Sequence, residues 1–203
     1  LIADLNEGGD ASPGRDLGLH PLNHGEAVVF DADDGVNGRQ LWVSDGTANG
    51  TKPLGAVETS FARPWAEGLL VRSNTNQLLW TNGTDLRDWH AAPVWSETVG
   101  QNISAQLEGL SNIGEAWLHA DERFLWFSAM DANGDVEPHR VDRNGTLTAW
   151  AVNDFGSAHL THLVSYEQDV LASASRGGVK QVLRLYDNGS HAWLTSIAPS
   201  SGD

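Results

Sequence analysis

Two short stretches concentrate oxygen atoms that could ligate a metal. DADDGVNG carries Asp31, Asp33, Asp34 and Asn37, and DANGDVE carries Asp131, Asn133, Asp135 and Glu137, with Asp142 further on. Alternating oxygen-bearing residues around a glycine-containing turn can aim several oxygens at one hard cation, and D-x-N-x-D echoes a calcium loop. Ca²⁺ is therefore the cofactor these residues suggest, held by Asp131, Asn133, Asp135, Glu137 and Asp142, or by Asp31 and Asp33. Against it, the sixth loop position is Val136, where the bend of a calcium loop takes glycine. Asp, Asn and Gly are also the ordinary residues of hairpin turns, so the same letters read as simple chain reversal.

A second group suits recognition. Trp95 with Glu97 and Asn102, inside PVWSETVGQNISAQLEGLSNI, could set an aromatic face beside polar groups and so offer a carbohydrate or protein partner a surface. The competing reading is that Trp95 packs inside the fold. N-x-S/T triplets at Asn49, Asn82, Asn102, Asn144 and Asn188 would accept glycans in an exported protein. All but Asn102 coincide with a recurring turn, whose own chemistry also brings Asn, Gly and Thr together. His20, His24, His90, His119, His139, His159, His162 and His191 are scattered, and no H-E-x-x-H or G-x-S-x-G motif accompanies them. They read as strand and loop-rim residues, and no catalytic residue is assigned.

Composition narrows the partners. A net charge of −15 and a pI near 4.7 oppose nucleic acid and anionic membrane surfaces, whose phosphates call for basic patches. The absence of cysteine excludes disulfides and thiolate metal sites. No run approaches the roughly 20 apolar residues of a membrane-spanning helix, so direct membrane insertion is not expected. At 203 residues there is room for one domain or two small ones with a real core. The chain opens on Leu1, as a processed form or an excised segment would, and the tail at 199–203, PSSGD, has linker composition.

The elements that must position these residues are strands. Helical periodicity is nearly absent, and short apolar runs alternate with clusters of Gly, Asn and Asp. One pattern returns: LWVSDGT (41–47), LLWTNGT (78–84), HRVDRNGT (139–146) and RLYDNGS (184–190). Matching strands precede each turn, and after three of the four turns comes a strand with tryptophan, at Trp89, Trp150 and Trp193. A period of about 40 residues with four antiparallel strands per repeat predicts a β-propeller of about four blades, over 17–57, 63–92, 116–153 and 160–198. The long middle interval marks an insertion at 93–113, read as an extra strand or a loop over one face. Residues 1–6 look like a further strand, closing the ring or left from a preceding repeat, in which case the chain is a segment of a larger propeller. Trp42, Trp80, Trp126, Trp150 and Trp193 recur with the blades and suit inter-blade packing.

GRQLWVSDGTANGT, with the upstream FDADDGVNG and the opening LIADLNEGGDASP, resembles the ELWxSDGTxxGT, or hyalin-like, repeat family. The match is strong over residues 1–57; in the other three repeats DGT becomes NGT or NGS and the ELW core is mostly lost. The resemblance implies a β-propeller and a secreted or cell-surface setting, and no catalytic residue attaches to its motif. The function expected is thus a non-catalytic extracellular module for adhesion, glycan or protein binding. A propeller-type carbohydrate-active enzyme, lyase or hydrolase, is the alternative, and a purely structural segment of a large surface protein is the third reading.

Overall fold

The computed structural model describes residues 2–22, 25–114, 117–121, 123–152, 158, 160–176 and 179–195; His24, His159 and the 199–203 tail lie outside them. The strands form four four-stranded antiparallel sheets, each a meander whose hydrogen-bonded order is its chain order. The first holds β1 (Leu19–Leu22), β2 (Ala27–Asp33), β3 (Arg39–Ser44) and β4 (Lys52–Gly55). The second holds β5 (Thr59–Trp65), β6 (Gly68–Ser73), β7 (Leu78–Thr81) and β8 (Arg87–Asp88). The third holds β9 (Leu118–Ala120), β10 (Phe124–Met130), β11 (Val136–Asp142) and β12 (Leu147–Ala149). The fourth holds β13 (Leu163–Tyr166), β14 (Asp169–Arg176), β15 (Val179–Leu185) and β16 (His191–Trp193). The fold is all-β, and its four meanders are consistent with the four-bladed β-propeller that the repeats predict.

The recurring letters make the reversal between third and fourth strands. Asp45 Oδ1 accepts the Thr47 N–H at 2.9 Å and its hydroxyl at 2.7 Å. Asn82 does the same with Thr84 at 3.1 and 2.6 Å, and Asn188 with Ser190 at 3.0 and 2.6 Å. The glycine inside each ring, at φ 87° for Gly46, 90° for Gly83 and 85° for Gly189, sits in the left-handed region that a Cβ disfavours. In the third sheet the ring slips back: Asp142 Oδ1 takes the N–H groups of Asn144 and Thr146, each at 2.8 Å.

The chain divides into two units, Leu1–Glu97 and Thr98–Asp203. In the first, Leu17, Leu22, Val29, Leu41 and Val43 of the opening sheet region are buried with Ala62, Leu69, Val71 and Leu79 of the second sheet. Each large aliphatic side chain so covered contributes about 1.5–3 kcal/mol. The strand expected at 1–6 does not form; residues 2–6 are irregular, because Asn6 and Asp4 bond to nearby N–H groups instead of a ladder. This arm instead laces onto β2, with Gly14 N–H donating to Asp31 O (2.7 Å) and Asp33 N–H to Ala11 O (3.0 Å). Leu5 and Ala11 then cover Phe30, Ala32 and Trp42.

In the second unit Trp126, Trp150 and Val152 are buried with Val170, Ala172, Ala174, Leu183 and Leu185. The insertion departs from expectation. Its main element is a helix, α1 (Glu97–Gln106), and only Ser111 makes a strand-like bridge, to Met130. Ile103 of α1 is buried, and a Cβ placed on Gly145 would meet Val99 Cγ1 at 2.5 Å and Ile103 Cγ1 at 3.1 Å. Gln106 completes the contact by donating to Gly145 O at 2.9 Å and accepting from Leu147 N–H at 3.1 Å. The helix thus caps the third sheet's β11–β12 turn.

Blade limits shift as well. The second sheet begins at Thr59 rather than 63, and Trp89 falls in a short 3₁₀ turn after a two-residue β8. The tryptophans pack, but not in one register: Trp42 and Trp80 lie on third strands, Trp126 on a second, Trp193 on a fourth, and Trp150 follows β12. Trp42, Trp80, Trp126 and Trp150 are buried, and Trp193 is half-buried.

Candidate functional site

The carboxylates proposed as calcium ligands are engaged by their own turns. Asp31 is buried and takes the Leu17 N–H at 2.9 Å and Arg39 Nε at 2.7 Å. Burial pushes its carboxyl up, but the hydrogen bonds from Leu17, Arg39 and Asp16 outweigh it and hold the group below the usual carboxylate range. Asp33 caps Gly35 N–H at 2.7 Å, pointing its oxygen into the hairpin reversal. In the second loop Asp131 Oδ1 takes the N–H groups of Asn133 and Asp135 at 2.8 and 3.0 Å, and the chain reverses at Gly134 (φ 85°). Val136 already belongs to β11, so Asp142 lies at that strand's far end, about 20 Å from Asp131 at 3.3 Å per residue. The expected five-residue donor set is therefore not assembled, and among the described residues no three His, Asp or Glu side chains are placed to hold a metal ion.

Glu137, the fourth of those residues, has a different environment. Its Oε2 accepts the Val152 N–H at 3.2 Å. Burial raises its carboxyl to about 7; the Val152 bond opposes this, and the neighbouring Asp135 and Asp131 add to it. Beside it His139 is buried, stacked on Phe127 with ring centroids 5.7 Å apart, and its Nδ1 lies 3.0 Å from Glu137 O. Burial holds this imidazole below its usual pKa.

The three residues read as a recognition surface are placed differently from one another. Trp95 is only 7% exposed, packed at 5.0 Å from Trp65 and edge-on at 5.7 Å to Trp89. Three large rings thus cluster beside the short β8 and its 3₁₀ turn. Glu97 and Asn102 are exposed on α1 without an aromatic face beside them in that helix. Of the glycosylation candidates, Asn82 and Asn188 turn their Oδ1 into the reversal rings, while Asn49, Asn102 and Asn144 are exposed.

The structure also joins residues the sequence did not connect. On the first strands of the third and fourth sheets, Ser165 Oγ donates to Asp121 Oδ2 at 2.8 Å and lies 3.0 Å from His119 Nε2. Burial lifts Asp121, but bonds from Ser165 and from the Arg123 and Phe124 N–H groups lower it further than burial raises it, so it stays ionised. Burial keeps His119 below its usual pKa, against the pull of Asp121. With the Ser165 hydroxyl proton directed at the Asp121 carboxylate, the serine oxygen is left to accept from Nε2–H of a neutral imidazole. A nucleophilic triad needs the reverse: serine donating to histidine, and the carboxylate on the other ring nitrogen. This trio is a polar tie between two sheets, reinforced by Arg123 donating to Glu167 O at 2.5 Å.

The most distinctive surface is the outer face of the fourth sheet. Strand register places Val164 opposite Leu171, Leu171 opposite Arg184, and Ser173 opposite Val182, so these share one face, with Tyr166 and Asp169 at its end. The opposite face, with Val170, Ala172, Leu183 and Leu185, is buried. On the outer face Val164 is 58% exposed, Tyr166 46%, Val182 39% and Leu194 51%. Arg184 lies across it, paired with Asp169 and stacked 5.3 Å from the Tyr166 ring and 4.9 Å from the Tyr186 ring. A readable signal existed in β15, where Val182 and Leu183 are adjacent: apolar residues in consecutive positions face both sides of a sheet.

No family model matches the chain, and no curated protein matches it. Among solved structures it is similar to the computationally designed protein Ika4, at TM-score 0.45 and 17% identity over 90% of this chain and 96% of that one. It is similar to the designed protein Ika8 at TM-score 0.44 and 17% identity, over 91% of this chain and about half (53%) of that one. A TolB-like protein of Agrobacterium tumefaciens gives TM-score 0.45 at 10% identity, over 94% of this chain and 68% of that one.

Proposed function

We propose that this chain is a non-catalytic β-propeller module that binds a partner through the outer face of its fourth sheet, and that it works outside the cell or on its surface. The observation that carries the reading is that Val164, Tyr166, Val182 and Leu194 are all exposed on one face of one sheet. A contiguous apolar patch with an aromatic ring and an arginine has the composition of interface centres, whereas single exposed apolar residues need no partner. The exported setting rests on the likeness of GRQLWVSDGTANGT to ELWxSDGT repeats and on the acidic composition.

The test is binding to glycan and cell-surface-protein arrays by the wild-type chain, Tyr166→Ser and Val164→Glu. We expect capture that both variants lose while keeping the wild-type melting temperature. Capture unaffected by either variant, or none by the wild type, sinks the reading.

A further inference from the structure

The outer face of the fourth sheet carries positive side chains as well as apolar ones. The chain has 27 Asp and Glu against 12 Lys and Arg. On this face stand Arg184 and Lys180, the latter opposite Ser175, and the one carboxylate of its strands is Asp169, already bonded to Arg184. His162, exposed at the start of the same row, adds no negative charge. With Arg184 countered by Asp169, Lys180 leaves the described side chains of this face net positive, and an apolar surface beside such a cation on an otherwise acidic chain fits an apolar group flanked by carboxylates.

The same chain displays such a group. Val36, at the tip of the β2–β3 hairpin, is 86% exposed, the most open of the large apolar side chains described. Asp33 and Asp34 stand just before it, separated from it by Gly35. The tip is rigid: Asp34 Oδ1 accepts the N–H groups of Val36 and Asn37 at 2.9 and 2.6 Å, and its Oδ2 accepts the amides of Asn37 and Gln40 at 2.7 and 2.8 Å. These bonds leave the carboxylate ionised and fix the valine outward, so little side-chain or loop entropy is lost when it docks.

From this juxtaposition we infer that the occupant of the fourth sheet's outer face is a second copy of this chain, which inserts its Asp33-Asp34-Gly35-Val36 tip against Val164, Val182 and Leu194, with its carboxylates toward Lys180 and Arg184. The inference rests on the reading of that face as a docking surface and names its partner. The contact is heterologous, tip to face, so each copy keeps one free tip and one free face and the assembly grows beyond a dimer unless it closes into a ring.

The test is sedimentation velocity of the full chain across a concentration series, in about 10 mM salt, where charges act over about 30 Å, and in about 150 mM salt, where they act over about 8 Å. The weight-average mass is expected to rise with concentration in about 150 mM salt, where the repulsion between two chains of net charge −15 is screened and the close tip-to-face contact is not. Val36→Asp removes the tip and Val164→Glu the face; both positions are exposed, and Lys180→Glu reverses charge without touching the core. Each variant alone is expected to associate about tenfold or more weakly. An equimolar mixture of Val36→Asp and Val164→Glu retains one good tip and one good face, and so forms a species of twice the chain mass and nothing larger. A chain monomeric throughout, a Val36→Asp variant that associates like wild type, or a mixture that stays monomeric overturns the inference. If the monomeric chain is captured on the arrays through this face, only the second-copy occupant is lost; if the arrays are silent too, the docking reading falls with it.

Discussion

Between the first and second sheets, Leu22, Val29, Leu41 and Val43 meet Ala62, Leu69, Val71 and Leu79, with no charged group among them. Between the third and fourth, Trp126 and Trp150 stack at 5.0 Å, and the Arg140 guanidinium lies 4.2 Å from Phe124, 5.2 Å from Trp126 and 5.3 Å from Trp150. Arg140 reaches out of these rings to Asp187, donating to Oδ1 at 2.5 Å and to the carbonyl at 3.1 Å. Trp150 Nε1 donates across the same seam to Ser190 O at 3.0 Å. The aliphatic seam is held by a force without direction, whereas the aromatic one adds bonds that are satisfied in one register only. The meander is therefore compatible with either solution, and the polar one occurs where the repeat letters have worn most.

Truncation of either seam should be costly. Trp126→Ala is expected to destabilise the second unit by about 3–5 kcal/mol and Leu69→Ala the first by about 2–5 kcal/mol, since both side chains are wholly buried and leave cavities. Urea titration followed by circular dichroism measures both. A smaller loss, about 1–2 kcal/mol, is expected from Asp187→Asn, which keeps the shape but takes the countercharge from a buried guanidinium; the half-exposed carboxylate keeps the figure low. This variant sharpens the comparison, because among the described residues the first seam's cluster holds no equivalent ion pair to lose. If Asp187→Asn unfolds at the wild-type urea midpoint, the three rings alone hold Arg140 and the two seams differ less than their chemistry suggests.

How far these differences were legible depends on the range of the interaction. The turn at Asp45 could be read directly, because its hydrogen bonds close within two residues and leave a fixed D-G-T signature. The four meanders followed from counting such turns. Helix α1 escaped because Gly100, Asn102 and Ser104 blur its periodicity; Val99, Ile103 and Leu107, four residues apart, were the faint trace of its buried side. The meeting of Ser165 with His119 and Asp121 spans more than forty residues, and no local pattern encodes it. Trp95 misled for the same reason: whether a tryptophan faces solvent depends on Trp65 and Trp89 arriving from elsewhere.

The two units should also respond to pH in opposite senses, the first through the buried Asp31 and the second through the half-buried Glu137. Asp31, with Arg39 beside it, is held below its ordinary value of 3.8, so its contribution is present above that value and is lost as pH falls through the lower folded value. Glu137 has no cation partner among the described residues, and burial raises it from 4.5 to about 7. Its folded form holds a proton that the unfolded chain has released, so stability is full below about pH 4.5 and declines as pH rises through about 7. Glu137→Gln keeps an oxygen for the Val152 N–H and cannot ionise. The variant should melt like wild type at pH 4 and, at pH 8, about 2–5 °C higher in the second unit, a shift below 1 kcal/mol for a unit of this size. Differential scanning calorimetry across that range reads the effect. A wild-type melting temperature flat from pH 4.5 to 8 would mean that water reaches Glu137 freely, and the contrast with Asp31 would then come from the arginine alone.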